Sequence, residues 1–235
     1  MNKLEENKRI KAIILGYNRI VKGIDADARD PIVQRAYGGI VRAGKGGLVE
    51  SIAKQLVEIA WLRLDRPIDQ LRINPKPRAV ELLLKRSYLK KVSDKIRNFI
   101  FKNIKQYKYL IKTDVHVYNG SNFVLAIECK AYAENAMIKR ILVDFTFLKK
   151  TFPKLHCVLL QLESQLGGDY SKTNNGYGSP STRTLLSYFD LDLHVQTLLQ
   201  GERRIDQPIH GPGFFKPLIE ERLYETVDLF EKLLK

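Results

Sequence analysis

A chain of 235 residues holds one compact domain, or one domain with elaborated loops, and is too short for two full-sized α/β enzyme domains. Hydrophobic residues make up 44% and charged residues 28%, enough apolar material for a core and too much for a natively disordered chain. The formal charge of +14 is unevenly spread: from Lys85 to Lys112 ten basic residues meet one acid, Asp94, whereas the last 35 residues hold six basic and seven acidic groups.

A localised basic surface favours a polyanionic partner, because each neutralised phosphate releases counterions. A well-solvated basic helix would have the same composition. Cys129 and Cys157 both lie in apolar runs and read as reduced core thiols. His116, His156, His194 and His210 are too scattered for familiar metal-ligand spacings, which argues against a zinc cluster. No apolar stretch approaches the length needed to span a bilayer, so a cytoplasmic protein without membrane contact is expected.

In chain order, the first 47 residues read as short helices with turns at Gly23 and Gly38-Gly39, ending in a flexible Gly44-Lys45-Gly46-Gly47. Leu48, Ile52, Leu56, Ile59 and Trp61-Leu62 then follow a helical period to about Leu64. Arg66 to Arg78, with Pro67, Pro75 and Pro77, reads as a loop. A second helix is expected from Pro77 or Ala79 to Lys105, with a break near Ser87 and Leu89, Val92, Ile96, Phe99 and Ile100 on one face.

After Gln106 the period changes to alternation. Two strands, Leu110–Tyr118 and Phe123–Ala131, are joined through Asn119-Gly120-Ser121-Asn122. A helix follows from about Ala133 to Lys150, with Ile138, Ile141, Leu142, Phe145 and Leu148 inward and Pro153 as its stop. The run LHCVLLQL, Leu155 to Leu162, reads as a strand buried on both faces, joined to the hairpin by a crossover. The implied fold is α/β, a mixed central sheet flanked by helices. Beyond it lie a long polar loop over 167–181, a short helix near Arg183 to Tyr188, an ambiguous segment at Leu191 to Leu199, a second loop and an amphipathic helix over Pro217 to Leu234.

Alternation along the second strand puts Val124, Ala126, Glu128 and Lys130 on one face and Phe123, Leu125, Ile127 and Cys129 on the other. Along the first, Asp114, His116 and Tyr118 share a face. A three-residue loop pairs Tyr118 with Asn122 and Asp114 with Ala126, bringing Asp114 to the face of Glu128 and Lys130. A four-residue loop turns Asp114 away unless a bulge intervenes. An odd loop, or a bulge near Asp114, is therefore expected.

Phosphodiester cleavage needs an activated water, a stabilised anionic transition state and an assisted leaving group. Two carboxylates holding Mg2+ supply most of that. A neighbouring lysine can orient the water, help lower its pKa or neutralise charge on the phosphate. Three charged groups on otherwise apolar strands are costly without such a purpose.

The stretch TDVHVYNGSNFVLAIECKAY resembles the active-site hairpin of the PD-(D/E)XK nucleases, with Asp114 as the first acid and Glu128-Cys129-Lys130 as the E-x-K element. Thr113 stands where that family often has proline. The order helix, hairpin, helix, buried strand is similar to the family core over roughly Gly47 to Leu162. The size of the chain is most like type II restriction endonucleases.

That resemblance implies a Mg2+-dependent endonuclease, with Mn2+ expected to substitute, acting as a homodimer on palindromic duplex DNA. Asp114 and Glu128 would bind the metal, Lys130 would assist the water, and Glu50 would join them from the preceding helix. It divides the chain into a helical extension over 1–46, a nuclease core over 47–164 and a loop-rich DNA-recognition region with a terminal helix over 165–235, within one compact domain. Lys91 and Lys95, with Lys172, Asn174, Asn175 and Arg183 near the polar loop, are the DNA-contact candidates; Asn and Arg suit adenine and guanine edges.

E-x-K by itself has little weight, since Glu6-Asn7-Lys8 also satisfies it. A solvated strand-face ion pair is the structural alternative for Glu128 and Lys130, and a solvated helix-start carboxylate for Glu50. Gly44-Lys45-Gly46-Gly47 lacks Walker spacing, and no G-x-S-x-G occurs. His116 could touch phosphate or pack as a hydrogen-bonded core histidine. Three rival readings of the chain remain: a repair or recombination nuclease that reads DNA shape, a basic nucleic-acid-binding protein without catalysis, and an interaction protein with an incidental basic helix.

Overall fold

In the computed structural model, which describes residues 1–27, 34–77, 79–168, 179–209, 211 and 213–235, with backbone alone for 23–27 and 34–45, the chain opens with two long helices. These are Lys3–Asp27 (α1) and Gln34–Arg63 (α2). Both run through the glycines at which turns were expected: α1 passes Gly23, and α2 passes Gly38-Gly39 and Gly44 to Gly47 without a hinge. Each helical glycine costs about 1 kcal/mol against alanine. The fully buried stripe Ile52, Leu56, Ile59 and Trp61 offsets that in α2, since burying one such side chain contributes about 1.5–3 kcal/mol.

The region after α2 departs most from expectation. Leu71–Ile73 forms a short strand (β1) where a loop was expected. The expected long helix is replaced by Val80–Leu83 (β2), Arg86–Leu89 (α3) and Asp94–Lys102 (α4), followed by Lys108–Ile111 (β3). Val80 to Leu83 pairs antiparallel with Ile111 to Lys108, a partnership across some 30 residues that local periodicity does not reveal. The helical period holds only for α4, whose N-cap Ser93 accepts from the Ile96 N–H. The expected strand Leu110–Tyr118 is split: its first residues end β3, and its last begin Val115–Asn119 (β4).

From there sequence and structure agree closely. Asn122–Glu134 (β5) leads into Asn135–Thr151 (α5) and His156–Gln165 (β6). Pro180–Ser187 (α6), Leu193–Thr197 (β7) and Glu220–Leu234 (α7) complete the chain, β7 resolving the ambiguous segment as a strand.

Among the described residues five strands form one sheet in the order β1-β4-β5-β6-β7. The β1, β4 and β5 pairings are antiparallel and the β5, β6 and β7 pairings parallel, so the sheet is mixed. One face packs on α1, α2 and α7 through Val115, Leu125, Ile127, Val158 and Leu160 against residues such as Tyr17, Leu56, Trp61 and Phe230. The other packs Ala126, Cys157 and Leu159 on Ile138, Leu142 and Phe145 of α5. Parallel β6, enclosed by both layers, is buried from Cys157 to Ser164. Arg63 at the end of α2 ties the helical layer together, donating to Glu6 of α1 and to Asp228 and Glu231 of α7. Among the described residues no helix is long and apolar enough to cross a membrane.

Candidate active site

The hairpin turn is shorter than expected. Asn119 pairs with Asn122, leaving Gly120-Ser121 as a two-residue loop with Gly120 at φ 58°. Tyr118 pairs with Phe123, but Val117 then pairs with Leu125, so Val124 is an extra residue and the register slips. Beyond the slip His116 faces Ala126 and Val115 faces Ile127, rather than Asp114 facing Ala126. Val124 therefore packs with the Leu125 side and Phe123 with the Ala126 side, the reverse of simple alternation. The bulge restores the parity that an even loop would have lost, and continuing the pairing sets Asp114 opposite Glu128.

Three charged side chains meet there. Lys130 Nζ donates to Glu128 Oε1 at 2.6 Å, to Asp114 Oδ2 at 3.4 Å and to the Cys129 carbonyl at 3.2 Å. Asp114 Oδ2 also accepts from the Cys129 N–H at 2.8 Å, which fixes the carboxylate against the backbone of β5. Glu128 is the most enclosed of the three, its side chain 12% exposed against 24% for Lys130 and 37% for Asp114.

Burial and then the negative charge of Asp114 raise the Glu128 pKa, against the pull of Lys130 and Arg140. Burial works to lower the Lys130 ammonium, but Glu128 and Asp114 outweigh it, and its pKa ends raised. Cys129 is held well above its ordinary value by burial, then by Asp114, Glu128 and Glu50, so its thiol stays protonated.

Glu50, on α2, reaches the site through an intermediary. It pairs with Lys54 at 2.7 Å and accepts from Asn74 Nδ2 at 3.3 Å. The same Asn74 amide donates to the Asp114 carbonyl at 3.1 Å, and its Oδ1 accepts from the His116 N–H at 2.7 Å. Sequence reasoning passed over Asn74 as a loop residue. Its one local signal is that asparagine tolerates the left-handed backbone, and its φ is 52°.

His116 is packed: it is buried, its Nε2 accepts from the Thr113 N–H, and its ring stacks on Phe123 at 4.7 Å. Gln161, the β6 neighbour of Lys130 in register, was also missed. It donates to Thr197 Oγ1 at 2.9 Å while its buried Oε1 has no hydrogen-bond partner among the described residues. A polar residue interrupting the apolar run of β6 was the available signal.

Lys91 and Lys95 are exposed, beside and on α4, and Arg183 is exposed on α6. Lys172, Asn174 and Asn175 lie outside the described residues.

Among the described residues no three His, Cys, Asp or Glu side chains form a metal-holding group. Two carboxylates suffice for Mg2+, which keeps several waters and takes oxygen ligands. Asp114 and Glu128 are already close enough to share one cation, the Lys130 ammonium, so the donor set fits a small divalent ion.

No family model matches the chain. The type II restriction enzyme DdeI of Desulfomicrobium norvegicum is 44% identical over 238 aligned residues, covering 99% of this chain and 98% of that protein. The solved native BbvCI A2B2 tetramer covers 98% of this chain and 90% of its own at 10% identity and a TM-score of 0.36, a likeness too slight to carry any argument. With nearly half of its residues shared with DdeI along almost the full length of both chains, the protein belongs to the type II restriction enzymes.

Proposed function

We propose that the chain is a Mg2+-dependent endonuclease that hydrolyses both strands of duplex DNA at a short specific sequence, with Asp114, Glu128 and Lys130 as catalytic residues. The observation that carries this reading is the sharing of the Lys130 ammonium by two carboxylates on adjacent strands. The 44% identity to a type II restriction enzyme supports the substrate class.

Asp114 and Glu128 would hold the metal, with Glu50 steadied beside them by Asn74. When bound, Mg2+ supplies Lewis acidity and a water of lowered pKa; Mn2+ fits the same oxygen donors. The Cys129 N–H keeps Asp114 oriented whatever else its carboxylate binds. Lys130, whose raised pKa keeps it charged, serves as a hydrogen-bond donor and a counter-charge to the reacting phosphate, rather than as a proton acceptor. Gln161 occupies the strand position beside it.

Exposed Lys91, Lys95 and Arg183 suit contact with the polyanion, and Lys172, Asn174 and Asn175 remain proposed base readers. A homodimer acting in the cytoplasm accords with a palindromic site. The domain division into extension, core and recognition region belongs to the same proposal.

Incubation with a long DNA and Mg2+, with and without chelator, followed by end-sequencing, tests this. Discrete, chelator-sensitive fragments sharing one short sequence at their ends are expected. Uncut DNA, or ends of random sequence, would overturn it.

A further inference from the structure

Between β1 and β4, neighbours in the large sheet, the chain makes a long excursion that carries β2, α3, α4 and β3. Its two roots are laced together, because Asn74 donates from its backbone to the His116 carbonyl at 2.8 Å and from its side chain to the Asp114 carbonyl. The excursion is thus an arm that springs from the loop of the catalytic acid.

Two properties set the arm apart. Of its ten basic residues from Lys85 to Lys112 all but Arg97 are exposed, and among the described residues only Arg97 and Lys108 of the ten meet a carboxylate. It also exposes large apolar side chains: Ile96 at 51% and Phe99 at 63% on α4, with Phe101, Ile104 and Tyr109 nearby in sequence. Lys95, Ile96, Asn98, Phe99 and Lys102 line a groove of about 500 Å3 on this surface. A surface helix that turns apolar residues outward between unpaired lysines is built for contact rather than for solvent.

We propose that this arm docks on the duplex beside the bond being cut, with Lys95 and Lys102 against phosphates and Ile96 and Phe99 packed on the sugar faces and base edges of a groove. Charge selects the occupant. A second copy seated symmetrically here would set one net +9 surface against another, whereas duplex DNA carries one negative charge per roughly 1.7 Å of axis. Apolar side chains among cationic ones match the alternation of phosphate, sugar and base that a groove presents. The inference rests on the proposed function, since it takes that reaction's substrate as the partner.

The test is retention of a random-sequence duplex by the full chain across a salt series, which requires no cleavage. For Lys95→Ala with Lys102→Ala, the slope of log affinity against log salt becomes shallower by about 0.9 for each phosphate that is no longer neutralised. For Ile96→Ser with Phe99→Ser, affinity falls about tenfold at unchanged slope, the equivalent of exposing one buried apolar side chain. All four side chains are exposed, so melting temperatures should hold; should the serine pair lower it, the lysine pair still decides. An unchanged lysine slope overturns the inference. So does a serine pair that retains DNA normally but sediments as a smaller species, which would make the surface an interface between copies. Loss of cleavage in the wild-type chain with retention intact would instead defeat the proposed function alone.

Discussion

Asn74 and Asp114 lie 40 residues apart in sequence, yet the Asn74 side chain donates to the Asp114 carbonyl while also holding Glu50. Asn74→Gly keeps the left-handed backbone and removes the side-chain bonds, whereas Asn74→Ala adds a strain of about 1–2 kcal/mol. Single-turnover cleavage should slow about tenfold in both variants, as expected for losing one orienting bond worth about 1.4 kcal/mol. Only the alanine variant should also lose stability beyond that of the missing bonds, read by urea unfolding. A glycine variant that cuts at the wild-type rate would reduce Asn74 to a turn former.

Lys130→Ala, Glu128→Gln and Asp114→Asn should each lower the cleavage rate by at least about 10²–10³-fold, the usual loss when one charge-stabilising group is removed. Duplex retention at low salt should persist in all three. A Lys130→Ala enzyme that nicks normally would place the chemistry elsewhere.

The raised pKa of Glu128 makes two pH effects, both measurable without DNA. A divalent ion must displace its proton, so cation affinity should climb as pH rises through that pKa and level off above it. For stability the sign is opposite. A carboxyl whose folded pKa lies above its unfolded value gives stability that is complete below the ordinary carboxylate range and is lost as pH rises through the folded pKa. Metal-free melting temperatures should therefore show a downward step over this window that Glu128→Gln removes. A wild-type profile superposable on that of the variant would contradict the burial argument.

Arg63 donates to carboxylates on both α1 and α7. Arg63→Ala should lower unfolding free energy by about 2–3 kcal/mol, the scale of charge-assisted bonds at a partly buried site, as read by chemical denaturation. Cleavage at low temperature should be unaffected.

What can be read from the sequence divides by the distance along the chain between interacting residues. β5, α5 and β6 are legible because Asn119 to Asn122 signals a turn and the periods on either side are long and clean. The arm is not, because Leu89 to Ile100 satisfies a helical spacing over a few turns, while the pairing of Val80 with Ile111 lies outside any local window. The glycines of α2 look like punctuation, although the helix continues into the packed stripe from Leu48 to Trp61. Parity anticipates the convergence of Asp114 with Glu128 and Lys130 through an odd loop or a bulge; the loop is even, and the bulge lies opposite Val117 and Tyr118. Asn74 and Gln161 owe their places to partners brought in by the fold, and neither carries a motif.

The extra residue at Val124 makes this hairpin a counting device. Were Val124 taken into regular pairing, Asp114 would lie opposite Ile127 and the two acids would point to opposite sides of the sheet. Functional relatives whose second hairpin strand is one residue shorter at this point should therefore lack the bulge and pair regularly, whereas those that keep the residue should keep the bulge.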